Sequence, residues 1–356
     1  MKLTQLLKST NLDNSLLIGY YGGGNYGDEL LLEVLGNLLH QHGTKDVTIT
    51  YINPDQYRDY HHDFGYKRID MQDKKQLIKQ LFTSKNIMIG GGGLWGVDMN
   101  FNTFLLSLML FFGRFLLGKK VFLLGVGYYN STTKLGRAGA WLAGKAANGI
   151  IARDDETFEN FSLINNETYL DSDMAWYIDQ VNLRPYEHDV TVMERHLRID
   201  DKTLVIAPRR PQSKKHSHEF TTFTDQIGEF IASNPDKSII VAVLESQARS
   251  PEEHRQAQAW RELYPNVQLL DFPHNPLALF LFFRKHHRNL ALIAPQFHVI
   301  ITAHLTNVPF SPIVYDNKVD PLLTQIGVAY HERIPMKDVN LGVMQQFADN
   351  FFGGSN

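Results

Sequence analysis

The stretch of this sequence best suited to chemistry is GYYGGGNYGDE, at residues 19–29. A short apolar run precedes it and apolar residues at helical spacing follow it, so its glycines are predicted to lie on a turn between a strand and a helix. Gly23 and Gly24 let a ligand approach the main chain closely, and the start of the helix attracts an anion. Asn25 and Asp28 are predicted to orient a ligand that carries hydroxyl groups, with Asp28 accepting a proton as a general base.

A dinucleotide is an alternative ligand for this turn, because Gly22, Gly24 and Gly27 fit the pattern G-x-G-x-x-G. That pattern normally has an acidic residue about 20 positions further on, at the end of the second strand. Here the second predicted strand, VTITYI, is followed by Asn53, and Asp28 lies where it would repel a pyrophosphate. The sequence therefore disfavours a dinucleotide, and a purely structural turn is a further alternative.

Two more groups follow predicted strands of the N-terminal half. Gly90–Gly93 end the apolar run that begins at Asn86, and Gly92 and Gly93 are predicted to leave room for a substrate. Arg153 follows another run and precedes a helix, where its guanidinium can hold a phosphate or a carboxylate through paired N–H donors. An ion pair with a neighbouring acid at the surface is the alternative for Arg153.

The C-terminal half offers one histidine and several cations at similar places. His298 lies between a predicted strand end and a helix, where a side chain faces a ligand, and a buried core histidine is the alternative. Lys318 follows the last predicted strand and offers a point charge for phosphate, or else is a solvated loop lysine. Arg209 and Arg210 follow the first strand of this half and form a further pair of cations, unless they pair with acids.

Strand and helix signals alternate along both halves of the chain, with glycine or polar residues at the strand ends. This alternation predicts an α/β protein with two Rossmann-like domains facing a cleft, in a GT-B-like arrangement. We expect an N-terminal domain at residues 1–180 and a C-terminal domain at residues 200–335. We also expect a terminal helix at residues 336–356 that packs back on the N-terminal domain.

The composition excludes several classes of function. Apolar residues make up 43% of the 356 residues and charged residues 21%, as in soluble globular proteins. The net charge of −3 gives no overall field that favours nucleic acid. The chain has no cysteine, and its 15 histidines show no metal-binding spacing, so we expect no metal and no disulfide. The first residues lack the apolar core of a signal peptide, which favours a cytoplasmic protein.

One segment, FNTFLLSLMLFFGRFLLG at residues 101–118, is unusually rich in leucine and phenylalanine. Its uninterrupted apolar run from Phe104 to Phe112 is too short to span a bilayer, and Arg114 interrupts its continuation. We expect a helix buried against a sheet. The alternative is an apolar face that contacts the inner face of a membrane or a lipid-linked acceptor.

The glycine turn resembles that of the polysaccharide pyruvyl transferase family, whose members carry GN-x-GDE after their first strand. Asn25, Gly27, Asp28 and Glu29 fit that motif. The resemblance extends over most of the chain, from about residue 16 to about residue 330.

Three other motifs of the family have matches in this chain. Its A-R-D motif, followed by Ser or Thr three residues on, is matched by Arg153 and the residues after it. Its Arg–apolar–His motif is matched at His298, except that Gln296 stands where the family has arginine. Its Y-D-x-K-V segment is matched around Lys318. Loss of one cation from a phosphate site costs about 1–3 kcal/mol if the cation contacts the ligand. Glutamine at position 296 is therefore expected to change the affinity for the donor.

The resemblance implies an enzyme that moves the enolpyruvyl group of phosphoenolpyruvate to a sugar of a cell-surface polysaccharide or of its lipid-linked precursor. The products are a cyclic pyruvate ketal and phosphate, and no cofactor is implied. Arg153 and Lys318 would bind the donor from opposite halves, with Gln296 and Arg209 as further substrate-binding residues. His298 would protonate the donor or bind its phosphate, and Asp28 would accept a proton from the sugar. The N-terminal domain would then hold the acceptor, and the C-terminal domain the donor phosphate.

Two alternatives to this function stay open. A GT-B glycosyltransferase that uses a nucleotide sugar shares the predicted fold and the cations. A sugar-binding homologue without activity is the other, because Gln296 replaces an arginine of the family. The sequence leaves open the acceptor sugar, the position and stereochemistry of the ketal, and the oligomeric state.

Overall fold

The computed structural model describes residues 1–52, 62–95, 101–129, 133–209, 217–271, 275–315 and 319–353. The chain divides into two compact units: Met1–Gly23 with Asp28–Asn182, and Gly24–Gly27 with Leu183–Asn356. The main division, after Asn182, lies close to the predicted end of the N-terminal domain. The assignment of Gly24–Gly27 to the second unit has no counterpart in the sequence pattern.

The first unit contains a seven-stranded parallel sheet flanked by helices, with strand order β3-β2-β1-β4-β5-β6-β7. Its strands are β1 Ser15–Ile18, β2 Val47–Tyr51, β3 Lys67–Asp70, β4 Asn86–Trp95, β5 Lys120–Tyr128, β6 Gly149–Ala152 and β7 Thr168–Leu170. Its helices are α1 Leu3–Ser9, α2 Tyr26–Gln41, α3 Lys74–Thr83, α4 Phe101–Phe115, α5 Lys134–Ala146 and α6 Asp155–Ser162, with a 3₁₀ helix at Met174–Gln180.

The second unit contains a six-stranded parallel sheet with strand order β10-β9-β8-β11-β12-β13. Its strands are β8 Thr203–Ile206, β9 Ser238–Ala242, β10 Val267–Leu270, β11 Leu290–Ala294, β12 Phe310–Val314 and β13 Ile334–Pro335. Its helices are α7 Glu187–His196, α8 Ser217–Ser233, α9 Pro251–Leu263, α10 Pro276–His286, α11 Phe297–Leu305, α12 Val319–Gln325 and α13 Leu341–Gly353, with 3₁₀ helices at Arg184–Tyr186, Tyr330–Glu332 and Met336–Asp338.

Each sheet reverses its strand order at one place. In the first sheet β1 lies between β2 and β4, and in the second sheet β8 lies between β9 and β11. Parallel strands in one sheet have their carboxyl ends at one edge, and ligands of such sheets bind where the order reverses. A ligand site is therefore expected at the segments that follow β1 and β4, and at those that follow β8 and β11.

The central strands are buried on both faces, as expected for strands covered by helices on two sides. Every residue of β1, β6 and β8 is buried, and the apolar runs of the sequence predicted these strands. The edge strands β3 and β7 were not predicted. They are partly exposed, so their residues show neither an apolar run nor a clear alternation.

The glycines that were predicted to end a strand lie inside it. β4 continues through Gly90–Gly93 to Trp95, because Gly90 pairs with Leu124 and Gly92 with Val126 of β5. The register shifts after Gly92, and Gly91 and Gly92 have positive φ angles of 74° and 85°. Glycine is needed there because other residues rarely adopt such angles, but it does not interrupt the pairing.

The C-terminal helix packs in the core of the second unit. Met344 and Ala348 of α13 lie in the same hydrophobic core cluster as Phe230 and Ile239 of that unit. These two buried residues are four positions apart, so one face of α13 covers the core next to α8.

The leucine- and phenylalanine-rich segment forms α4, which packs on the first sheet beside α5. Leu110 of α4 is fully buried in the core cluster of this unit, as predicted. None of the described helices is long and apolar enough to cross a membrane.

Candidate functional site

In the turn after β1, backbone N–H groups donate hydrogen bonds to side chains of the protein. Gly22 has a φ angle of 70°, and its N–H donates to Oε2 of the buried Glu29 at 3.0 Å. The N–H of Gly27 donates to Oδ1 of Asn25 at 2.9 Å, so Asn25 caps α2. Two N–H groups that were expected to attract an anion therefore have protein partners, and Asp28 and Glu29 add negative charge in the first turn of α2. An anion is disfavoured at this helix start.

Tyr21 lies between the end of β1 and the middle of β4 in the first unit. Its ring is buried, and its hydroxyl donates to the carbonyl oxygen of Gly90 at 2.5 Å. A Cβ atom at Gly19 or Gly90 would overlap Tyr21, so these glycines accommodate an internal side chain. Burial, followed by the charge of Asp28, raises the pKa of Tyr21 well above its ordinary value and keeps the hydroxyl protonated.

Gly92 differs from these glycines, because it borders open space. Among the described residues, a Cβ atom at Gly92 would approach only Oδ1 of Asp28, at 4.0 Å. Asp28 is half-buried, and it is the predicted general base. The structure thus brings two of the predicted site residues, Gly92 and Asp28, to one space in the first unit.

Gly93, the next residue of β4, adjoins Arg153 instead. A Cβ atom at Gly93 would lie 3.3 Å from Nη2 of Arg153, and one at Gly127 would lie 2.9 Å from its Nε. Gly93 and Gly127 therefore make room for the guanidinium of Arg153.

Arg153 lies at the end of β6 and is buried in a network of ion pairs. Its Nη1 lies 3.1 Å from Oδ2 of Asp173, and its Nε lies 3.6 Å from Oδ2 of Asp154. Its Nη2 also donates to the hydroxyl of Tyr129 at 2.7 Å. Burial acts to lower the pKa of Arg153, but Tyr129 and the Asp173 carboxylate outweigh burial and raise it. Of the two interpretations of Arg153, the structure contains the ion pair, in the interior rather than at the surface.

The residues that follow Arg153 in its motif have structural roles. Oδ1 of Asp154 accepts from the N–H of Thr157 at 2.8 Å and caps α6. The hydroxyl oxygen of Thr157 accepts from the N–H of Tyr128 at 2.8 Å, which fastens α6 to the end of β5. The motif thus fixes the geometry around Arg153.

His298 lies in the first turn of α11 in the second unit and contacts Gly27. A Cβ atom at Gly27 would overlap the imidazole of His298, so only glycine permits this approach. The imidazole of His298 is half-buried and contacts the ring of Phe297 edge-on, with 5.1 Å between ring centroids. The sequence predicted both residues as parts of separate motifs, but their contact is visible only in the structure.

Gln296 connects the ends of β8 and β11. Its Nε2 donates to the carbonyl oxygen of Pro208 at 2.7 Å, and the whole residue is 7% exposed. Although Gln296 is the N-cap residue of α11, its side chain does not cap that helix. The residue that replaces the arginine of the motif is therefore anchored beside Arg209, the neighbour of Pro208 in the chain.

Arg209 is a half-buried cation at the same sheet edge. Its guanidinium carbon lies 4.9 Å from the centroid of the Tyr315 ring, which follows β12. Burial acts to lower the pKa of Arg209, but Tyr315 and the carboxylates of Glu245 and Glu253 outweigh burial and raise it. Arg209 therefore keeps its positive charge at the carboxyl ends of the second sheet, close to Gln296.

Glu245, which follows β9, was not among the predicted site residues. Its Oε1 accepts from Nδ2 of Asn25 at 3.2 Å, and its Oε2 lies 3.2 Å from Nε of Arg249. The N–H of Tyr26 also donates to the carbonyl oxygen of Leu244 at 3.0 Å. These contacts hold the Gly24–Gly27 segment in the second unit, and they occupy the amide of Asn25. The sequence contained one signal for Glu245, namely a charged residue that follows a predicted strand.

His254 of α9 supports Glu245 from the protein interior. Its Nε2 lies 2.7 Å from the carbonyl oxygen of Glu245, and its Nδ1 lies 2.9 Å from Oδ1 of Asp271. Burial acts to lower the pKa of His254, but these two hydrogen bonds outweigh it and raise the pKa. With an acceptor at each ring nitrogen, the imidazolium form is favoured.

The remaining predicted site residues have less defined surroundings. Lys318 and Arg210 lie outside the described residues. Gly23 is close to the ring of Tyr20, and the carbonyl oxygen of Gly24 accepts from the N–H of Ser246 at 2.8 Å. Within the described ranges, no group of three or more His, Asp and Glu side chains is arranged to hold a metal ion.

The buried network around Arg153 gives a stability prediction. Arg153→Ala leaves the carboxylate of Asp173 buried without its cation, so it should lower the free energy of unfolding by about 3–5 kcal/mol. Denaturant unfolding followed by tyrosine and tryptophan fluorescence would measure the change. Lys145→Ala, at an exposed lysine of the same unit, is the control and should stay within about 0.5 kcal/mol. Equal effects of the two substitutions would contradict the assignment.

The contact between Gly27 and His298 gives a second prediction, which a double-mutant cycle tests. Gly27→Ala should destabilise the protein by about 1–3 kcal/mol, because the new methyl group overlaps the imidazole. In a His298→Ala background the same substitution should be neutral or stabilising, because alanine favours helix over glycine. Thermal unfolding of the four proteins measures the coupling, and the same shift in both backgrounds would disprove the contact.

Several solved structures share the fold of this chain. UDP-GlcNAc 2-epimerase from Methanocaldococcus jannaschii is 12% identical, with a TM-score of 0.62 over 96% of this chain and 93% of that one. UDP-GlcNAc 2-epimerase from Neisseria meningitidis, bound to UDP-GlcNAc, is 11% identical, with a TM-score of 0.56 over 96% and 100%. ADP-heptose LPS heptosyltransferase II from E. coli is 10% identical, with a TM-score of 0.52 over 95% and 98%. At these identities the likeness concerns the fold, and the predicted GT-B-like α/β fold is confirmed.

Comparison at the sequence level gives a more specific result. No curated protein sequence matches the chain. The model of the polysaccharide pyruvyl transferase family matches residues 25–317. The match begins at Asn25 and includes Asp28, Arg153, Gln296 and His298. It covers most of the chain's 356 residues, from the glycine turn to the segment after β12. The chain therefore belongs to the polysaccharide pyruvyl transferase family.

Proposed function

We propose that this protein transfers the enolpyruvyl group of phosphoenolpyruvate to two hydroxyl groups of one sugar, in a cell-surface polysaccharide or its lipid-linked precursor. The family match over residues 25–317 carries the proposal. The arrangement of polar residues at the carboxyl ends of the two sheets supports it and suggests which side chains act.

The reaction needs one acid and one base. A proton added to the methylene carbon of phosphoenolpyruvate makes C2 electrophilic, and the first sugar hydroxyl attacks C2 and loses its proton. The bond between C2 and the phosphate oxygen then breaks, inorganic phosphate leaves, and the second hydroxyl adds to C2 and loses its proton. The product is a cyclic ketal, and no oxidant or cofactor is required.

In the second unit, we assign the donor to the residues at the ends of β8 and β11. His298 supplies the proton to the methylene carbon, since it is half-buried and is held at a position that Gly27 leaves open. Arg209 supplies positive charge for the phosphate or carboxylate of the donor. Gln296 contributes an amide in place of the family arginine, and Lys318 adds a second charge by its match to the family motif.

In the first unit, we assign the acceptor to the space that Gly92 and Asp28 border. Asp28 takes a hydroxyl proton from the sugar as a general base. Gly23 and Gly93 shape the neighbouring backbone of this unit, and Gly24, which belongs to the second unit, is assigned to the backbone there. Arg153 is proposed to position this region, because the structure uses its guanidinium in ion pairs with Asp173 and Asp154. Asn25 is likewise assigned a positioning role, through its contact with Glu245.

A transferase that uses a nucleotide sugar is the second candidate. Its support is the fold, which the chain shares with a heptosyltransferase and with an epimerase bound to UDP-GlcNAc. An inactive sugar-binding homologue is the third candidate, suggested by Gln296. Direct assays separate these three functions.

The first functional prediction concerns the reaction and its acid. The protein, given phosphoenolpyruvate and a suitable glycan, should release phosphate and add about 70 Da to the glycan, the mass of a ketal-linked pyruvate. His298→Gln should lower kcat by about 10²- to 10⁴-fold and change KM for phosphoenolpyruvate little, as expected for loss of a general acid. His304→Gln, on the same helix, is the matched control and should leave both constants unchanged.

Several outcomes would overturn parts of this proposal. Turnover of a UDP-sugar without use of phosphoenolpyruvate would favour the glycosyltransferase. Binding of glycans with no phosphate release for any acceptor would favour the inactive homologue. A His298→Gln protein with normal kcat and a raised KM would make His298 a phosphate ligand rather than the acid.

The second functional prediction concerns Arg209. A charged hydrogen bond contributes about 1.5–3 kcal/mol, so Arg209→Ala should raise KM for phosphoenolpyruvate by about 10- to 150-fold. Because Gln296 binds the carbonyl oxygen next to Arg209, Gln296→Arg in the Arg209→Ala protein should restore part of the affinity. Arg255→Ala, at an exposed arginine of the same unit, serves as the control. An unchanged KM in a folded Arg209→Ala protein would remove Arg209 from the donor site.

A further inference from the structure

One part of the sequence carries a large net positive charge. Residues 74–153 contain eleven Lys and Arg and a single acidic residue, Asp98, whereas the whole chain has 35 basic and 38 acidic residues. This segment thus has a net charge of +10 in a chain of net charge −3, which leaves −13 on the remainder. It includes helices α3, α4 and α5 of the first unit.

Helix α4 is apolar on its exposed side as well as on its buried side. Leu110 and Gly113 face the core, whereas large apolar side chains at helical spacing face outward. The outward-facing set, each 44–71% exposed, consists of Phe101, Leu105, Phe112 and Phe115 of α4, with Leu116 directly after the helix. A helix in contact with water normally carries polar residues on that side, so an exposed apolar stripe is unusual there.

Aromatic contacts join this stripe to α5. The Phe111 ring centroid lies 4.6 Å from that of Phe115 and 6.4 Å from that of Trp141, and Trp141 is 48% exposed. The exposed side of α5 also carries Lys134, Arg137 and Lys145. We call this surface the α4–α5 face: Phe101, Leu105, Phe112, Phe115, Leu116 and Trp141, with Lys134, Arg137 and Lys145.

We propose that the α4–α5 face docks on a bilayer that contains anionic lipids. Exposed Phe, Leu and Trp beside Lys and Arg is the composition of helices that lie in the membrane interface, where apolar residues enter the acyl boundary and cations meet lipid headgroups. Neither α4 nor α5 carries an acidic residue, so no carboxylate on these helices would oppose an anionic surface.

Other occupants fit this face less well. In a symmetric pair of copies the same patch would meet itself, which would bring Lys and Arg of one copy against Lys and Arg of the other. A nucleic acid would neutralise the cations but would leave the leucine and phenylalanine side chains of α4 without an apolar partner. An anionic bilayer satisfies both the charge and the apolar surface.

Sedimentation with lipid vesicles tests the role of the charges. The protein should bind vesicles of phosphatidylglycerol and phosphatidylcholine at about 0.1 M salt, and should bind phosphatidylcholine alone much more weakly. Lys134→Glu/Arg137→Glu/Lys145→Glu should weaken binding by about 100-fold or more, from the contribution of each cation near an anionic surface. Arg255→Glu/Arg261→Glu/Lys337→Glu makes the same change in net charge in the second unit and should bind like the wild type.

The apolar stripe needs its own test. Phe112→Ser/Leu116→Ser should weaken vesicle binding by about 10-fold or more, because these side chains would no longer enter the bilayer. Leu263→Ser/Tyr330→Ser, at exposed apolar residues of the second unit, is the matched control. Trp141 should report insertion by a blue shift of its emission on vesicle binding. Trp141→Phe should remove that shift while binding remains.

The following results would overturn the proposal: no binding of the wild-type protein to anionic vesicles, or equal weakening by the triple variant and its control. A dimer in sedimentation velocity that Phe112→Ser/Leu116→Ser dissociates would instead assign the face to contact between copies. Vesicle binding is measured without donor or acceptor, so its outcome does not depend on the proposed transferase activity.

Discussion

The buried carboxylate of Glu245 is the constraint on which the candidate donor site depends. An isolated buried charge is very costly, and this one is balanced by Arg249, by the amide of Asn25 and by the surrounding hydrogen bonds. The same contacts fasten the Gly24–Gly27 segment beside the strand end after β9. The segment held in this way includes Gly27, which adjoins the imidazole of His298, the proposed acid.

The glycine-rich strand ends show how one residue type serves several physical needs. Gly90 accommodates Tyr21, and Gly93 accommodates Arg153, so these positions are filled from within the protein. Gly27 accommodates His298, whose side chain is proposed to act on the donor. Among the described residues, only Asp28 lies near a Cβ atom at Gly92, and this separates Gly92 from glycines that appear equivalent in the sequence.

Each unit has one arginine at the carboxyl edge of its sheet, Arg153 buried and Arg209 half-buried, and the partners of each decide what it can do. Arg153 is surrounded by Asp173, Asp154 and Tyr129, which use its donors to fix the end of β6. Arg209 stacks on Tyr315 beside the end of β11, and its charge is balanced by carboxylates at longer range. The sequence offered a family motif for Arg153 and none for Arg209, yet the guanidinium that lies among carboxylates is that of Arg153. A motif records which residues occur together, but not whether their donors are already used inside the protein.

The sequence by itself determined the α/β class, the central strands and the positions of Arg153, Arg209 and His298 shortly after a strand. These follow from local signals: an apolar run for each buried strand, helical spacing for each covering helix, and polar residues where a strand stops. Other features depended on tertiary pairing, which leaves no local signal: the edge strands β3 and β7, the continuation of β4 through Gly90–Gly93 and the packing of α13. Only the tertiary structure decided that Gly27 meets His298 and that Asn25 meets Glu245, because these partners are more than 200 residues apart and each contact depends on side-chain volume and charge.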